Sequence, residues 1–98
     1  MLEISFEWDP AKAIANARKH GVTFEEAQAA FLDDLAVVID DPDHSEDEVR
    51  FVLLGFSAAA RMLVVVHAYQ ASPETIRVIS ARKATKVERA VYVKRHHP

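Results

Sequence analysis

The chain contains no cysteine, two glycines and four prolines. Without thiols there can be no disulfide framework and no thiolate zinc site. So few glycines and prolines leave no flexible linker, and no repeat or low-complexity segment is present. The longest apolar runs, such as Met62–Val66, fall far short of the roughly 20 residues that a membrane helix needs. The first residues, MLEISFEWD, lack a basic start and a long apolar stretch, so no signal peptide is expected and the default location is cytoplasmic. His20, His44 and His67 show no HExxH-like spacing, and the carboxylates of residues 40–48 show no EF-hand spacing. No metal and no other cofactor is expected.

What remains is a globular composition. Half of the 98 residues are hydrophobic, and the mean hydropathy of −0.05 is not that of a disordered chain. The length implies one domain, residues 1–98, large enough for one sheet and a few helices. The net charge of −3 hides a polarity. Residues 1–50 carry four basic and thirteen acidic side chains, a balance of −9; residues 51–98 carry eight and two, a balance of +6. The second half can therefore present a local basic face, although the two halves could equally neutralise each other within one fold.

Taken in order, Leu2, Ile4, Phe6 and Trp8 alternate with polar residues and predict a strand over 2–8. Asp9-Pro10 starts a helix and Gly21 ends it, with Ala11, Ile14 and Ala15 as its apolar stripe. Thr23 and Glu26 form a capping box for a second helix, buried through Phe24, Ala27, Ala30 and Phe31. Residues 35–39 and 50–57 read as strands around an acidic turn and the polar loop that holds His44. Residues 61–69 and 75–83 form a hairpin. Thr85 and Glu88 open a last helix packed through Val87, Ala90 and Val91, and His96 to Pro98 form a frayed tail. The order β-α-α-β-β-β-β-α is an α+β fold. Four strands form an antiparallel meander joined by an N-terminal strand, and the helices cover one face and leave the other at least partly open.

The hairpin organises the candidate site. Uniform alternation puts Met62, Val64 and Val66 with Ile76 and Val78 on the core face, and brings His67 and Tyr69 near Arg77 on an open face. Arg82 and Lys83 follow at the strand's end. A proton-transfer group beside several cations suits phosphate chemistry; a half-solvated hairpin with polar residues facing water is the plain alternative.

Three stretches resemble the BrnT family, the toxin half of a bacterial type II toxin–antitoxin pair. They are Phe6-Glu7-Trp8-Asp9 with Lys12, Asn16, Lys19-His20-Gly21-Val22 and Phe24-Glu25-Glu26-Ala27; then Asp41-Pro42-Asp43-His44-Ser45 with Glu48 and Arg50-Phe51; then Ile79-Ser80-Ala81-Arg82-Lys83-Ala84-Thr85 with Glu88 and Tyr92. The resemblance implies a RelE-like fold and an endoribonuclease that arrests translation. It also implies a ribbon-helix-helix (BrnA-like) antitoxin, whose complex with the toxin binds operator DNA and represses its own synthesis. The last helix is less basic here than in many such chains.

RNA can be cleaved by its own 2′-hydroxyl attacking the adjacent phosphate, given a base, an acid and cations for the phosphorane. His67 is the candidate acid or base, since histidine titrates near neutrality. Arg77 is the candidate phosphate clamp, with a cross-strand pair to a Glu as the competing reading. Arg50 joins that face or pairs with Glu48. Arg82 and Lys83 are candidates for holding the RNA backbone and Tyr69 for stacking on a base. Lys19 and His20 read locally as cations at a helix end, and the shared motif adds them as RNA-binding candidates. The same basic face would also serve a module that binds nucleic acid or a protein partner without catalysis.

Overall fold

Asp9 caps helix α1 (Pro10–His20), its Oδ1 accepting from the amides of Ala11 at 2.8 Å and Lys12 at 3.4 Å. Gly21 closes it in the left-handed region, φ 68°, donating its amide to Ala17 O at 2.9 Å. The computed structural model describes residues 4–41, 48–70 and 74–96. His44 and most of its acidic loop, the turn at 71–73 and the tail at 97–98 lie outside them. The other elements are β1 (Ser5–Glu7), α2 (Phe24–Ala30), β2 (Val37–Asp40), β3 (Phe51–Phe56), β4 (Met62–Tyr69), β5 (Thr75–Lys83) and α3 (Lys86–His96). The element order is the expected one. The strands form a single sheet ordered β1-β5-β4-β3-β2, antiparallel except for the parallel pair β1–β5.

Helices pack on both faces of the sheet, where helices on one face were expected, and the α3 face stays partly open along the groove described below. Leu53, Leu63, Val65, Val78 and Ala81 pack under Val22, Phe24, Ala27 and Ala30. On the other side Val37, Leu54, Met62 and Val64 pack under Tyr92 of α3. Residues 62–66 form an unbroken apolar run because their strand has two interiors to fill. Gly55 is required where α2 approaches β3: a Cβ there would lie 2.8 Å from Ala30 O.

Two helix stripes differ from the periodic reading. Ala11, Ile14 and Ala15 of α1 are exposed, and Asn16 is the buried position. Its Nδ2 donates to Val22 O at 3.0 Å and Ala81 O at 2.8 Å, while its Oδ1 accepts from the Ala81 amide at 3.0 Å. A polar side chain thus joins α1 to β5 by completing a β-strand's backbone pairing. In α3, Val87, Ala90 and Val91 face outward, with Val87 76% exposed. Tyr92 alone of this helix is buried. Its hydroxyl donates to Asp33 Oδ2 at 2.8 Å, and His96 Nε2 donates to Leu35 O at 2.7 Å, so His96 belongs to the helix and not to a frayed tail.

Candidate nucleic-acid interface

The register of β5 against β4 slips by one residue. Val66 pairs with Ser80 but His67 pairs with Val78, so Ile79 is the extra residue of a β-bulge. A one-residue shift moves every following side chain to the other face. Arg77 consequently pairs with Ala68 and shares its face with Ser80, opposite Val66, and Arg82, opposite Val64. His67 and Tyr69 lie on the other face, opposite Val78 and Ile76. The expected meeting of His67, Tyr69 and Arg77 is therefore absent, because uniform alternation does not cross a bulge.

His67 is fully buried. Phe31, Phe51 and Tyr69 surround its ring, with centroids 4.8, 6.1 and 5.7 Å away. Its Nδ1 stands 3.2 Å from Val65 O, and among the described residues Nε2 has no partner. Burial holds its pKa below the usual histidine value, with the Val65 carbonyl pulling the other way. This is a core histidine, and its burial disfavours the charged form. Tyr69 is half exposed at the strand's end on the same side. Lys83, opposite Leu63, also belongs to that side, where its charge acts on Glu26. Lys19 and His20 close α1, which packs on β5.

Three of the candidate residues do converge. Arg50 and Arg82 line a groove of about 470 Å³ on the α3 side of the sheet, floored by Val52, Val64, Val66 and Ile79 and flanked by Ser80, Asp41 and Glu88. Arg77 joins Arg50 through a shared carboxylate: Glu48 pairs with the Arg77 guanidinium, and Arg50 Nε lies 3.5 Å from its Oε1. Both competing readings of these arginines, a pair with a Glu and a pair with Glu48, thus describe one bridge. Among the described residues the Arg77 Nε is buried without a partner.

Arg82 is held differently. Glu88 accepts from its Nη1 at 2.8 Å and Nη2 at 2.7 Å, and also from the Thr85 amide at 2.8 Å. Thr85 Oγ1 in turn accepts from the Glu88 amide at 3.2 Å, so the second capping box forms in full. Arg82 above all, with the two Thr85 bonds, brings the Glu88 carboxyl down to about 2 against the cost of burial. The first box forms only by half. Thr23 Oγ1 accepts from the Glu26 amide at 3.0 Å, but Glu26 spends its carboxylate on Arg61, whose Nε donates at 2.8 Å, and on the Ser57 hydroxyl at 2.7 Å.

Ser80 and Asp41 line the groove and Glu48 bridges two of its arginines, and none of the three is a site candidate in the sequence. All three belong to the shared motifs, Glu48 is also named there as a partner for Arg50, and the bulge is what brings Ser80 onto the face of Arg77. Among the described residues no group of three His, Asp or Glu side chains is placed to hold a metal ion. No described helix is long and apolar enough to cross a membrane.

Fold and groove together define a small α+β protein whose mixed sheet carries three glutamate-paired arginines on one face. The model of the ribonuclease toxin BrnT of type II toxin–antitoxin systems matches residues 8–88, and the chain belongs to that family. The crystal structure of the Brucella abortus ribonuclease toxin BrnT superposes with a TM-score of 0.61 at 24% identity, covering 88% of this chain and all of that one. That likeness concerns the fold. No curated protein matches. Membership in a type II toxin–antitoxin family makes this chain a toxin and implies an antitoxin partner.

Proposed function

We propose that this toxin is a cytoplasmic endoribonuclease that binds single-stranded RNA in the arginine groove, cleaves it without a metal ion and so arrests translation. The observation that carries the reading is the convergence of Arg50, Arg77 and Arg82 on one sheet face, over an apolar floor. Guanidinium forks match phosphate oxygens and stabilise the charge that grows on a pentacoordinate phosphorus. Arg77 and Arg50 would take the scissile phosphate, and Arg82, fixed by Glu88, a neighbouring one. The attacking 2′-hydroxyl belongs to the substrate, so most of the acceleration is asked of positioning and electrostatics. His67, on the far face, serves the core.

The antitoxin is proposed to be a ribbon-helix-helix protein whose complex with the toxin binds operator DNA. The outward Val87, Val91 and Val93 of α3 and Val38 and Ile39 of edge strand β2 are apolar surface that supports such a partner. The buried His67 also favours a second reading, a module that holds RNA without cutting it. The two separate in one assay: the purified protein, incubated with RNA and EDTA, should yield discrete fragments on a gel. Intact RNA that is nevertheless bound would support the second reading. Cleavage lost to chelation and restored by a divalent ion would overturn the metal-free mechanism.

A further inference from the structure

Two carboxylates face the groove arginines, and they are held in unlike ways. Glu88 is fixed three times over, by the fork of Arg82, by the Thr85 amide and by its place in the first turn of α3. Glu48 precedes β3 in irregular chain, and among the described residues its carboxylate meets only Arg77 and Arg50. Among the described residues those two arginines form no other ion pair.

A carboxylate satisfies a guanidinium with two oxygens in a plane. Among the described residues it leaves the Arg77 Nε, a buried donor, without an acceptor. A phosphodiester offers two free oxygens in tetrahedral arrangement, and one of them can turn to that nitrogen. The subsite is thus occupied, but incompletely, by a group of the right charge and a poorer shape. We propose that Glu48 is an internal stand-in for phosphate, holding Arg77 and Arg50 until an RNA phosphate displaces it; the proposal rests on the groove being the RNA site. Because Glu48 is tethered, it competes at a high effective concentration. A lone anion meets that competition unaided. An RNA strand already held at Arg82 meets it with a tethered phosphate of its own. Glu48 therefore biases the groove towards polyanions over single phosphates, acting as a positioning residue through the arginines.

The test uses the parent, Glu48→Gln, Arg77→Ala and the double variant, each checked for folding by circular dichroism. Binding is read by anisotropy with a short 2′-O-methyl oligonucleotide, which cannot be cleaved. Glu48→Gln should bind about three- to tenfold more tightly than the parent, the worth of a partly exposed ion pair, and KM for cleavable RNA should fall by a similar factor. In the Arg77→Ala background the same substitution should give a clearly smaller gain, that of releasing Arg50 alone. Unchanged or weaker binding by Glu48→Gln would overturn the proposal, as would an equal gain in both backgrounds, which would mark a general charge effect. A kcat loss of about 100-fold or more would make Glu48 a proton-transfer group and also overturn it. If the RNA reading itself fails, the parent and all variants leave the oligonucleotide unbound. Inorganic phosphate then decides: it should raise the melting temperature of Glu48→Gln more than that of the parent, and equal shifts would contradict the stand-in.

Discussion

Asn16 spends its whole amide on backbone groups, two carbonyls and one N–H, at a site 7% exposed. Removing it strands the Ala81 amide and carbonyl and the Val22 carbonyl together. Asn16→Ala should cost about 2–4 kcal/mol, since each buried polar group left alone costs about 1–3. Urea denaturation checks this, and a loss under about 1 kcal/mol would mean that water replaces the side chain. His67 gives the second prediction at this scale. Burial lowers its folded pKa below 6.5, so below that pH the unfolded chain takes a proton that the folded chain refuses. Stability should fall as pH drops from about 7.5 to 5.5. Replacing His67 with Leu should flatten that slope, whatever it does to absolute stability. An unchanged slope would assign the loss to other groups. Residue types alone pointed to the three arginines that share the α3 side. They misplaced His67, because a histidine in an apolar strand carries the same letter whether its face is open or enclosed.

At the level of elements, α3 is the loosely attached one. It rests on Tyr92, the Arg82–Glu88 pair and His96, with its valines outward. The Tyr92 hydroxyl is anchored by Asp33. Burial would raise the Asp33 carboxyl, but the amides of Phe56 and Leu35 and the hydroxyl itself outweigh it and keep it ionised. Burial first, then that neighbour, pushes the phenol up to about 12. Tyr92→Phe should cost about 1 kcal/mol and speed amide exchange in α3 while leaving β4 protected. Equal acceleration in both would mean that α3 and the sheet open as one unit. The tight turn before β4 offers a gain instead. Ala60 sits at φ 60°, where an L-residue is strained, so Ala60→Gly should stabilise by up to about 1 kcal/mol in urea denaturation.

The elements themselves were legible, because caps and punctuation are local: Asp9-Pro10, Gly21, Thr23 and Thr85 all act within a few residues of their own positions. Faces were less so. The bulge at Ile79 depends on pairing with β4, and nothing within residues 75–83 announces it. The buried Asn16 depends on β5, 65 residues away. The outward valines of α3 look like a core stripe until a partner surface is considered.

For the molecule as a whole, the basic balance of the second half is not spread evenly. β5 projects Arg77 and Arg82 to the α3 side and Lys83 to the α2 side, and Arg50 is the contribution of the acidic half to the groove. The central claim is that RNA occupies the α3 side. The direct measurement is the affinity of one single-stranded 2′-O-methyl RNA for the parent, Arg77→Ala and Lys83→Ala over a range of salt concentrations. With three arginines engaged, log K should fall against log salt with a slope near −2, about −0.7 per phosphate neutralised on a single strand. Arg77→Ala should weaken binding about tenfold or more and make the slope shallower by about 0.7. Lys83→Ala should match the parent in both. Loss of affinity and slope in Lys83→Ala, with Arg77→Ala unchanged, would put the RNA on the opposite face and contradict the account.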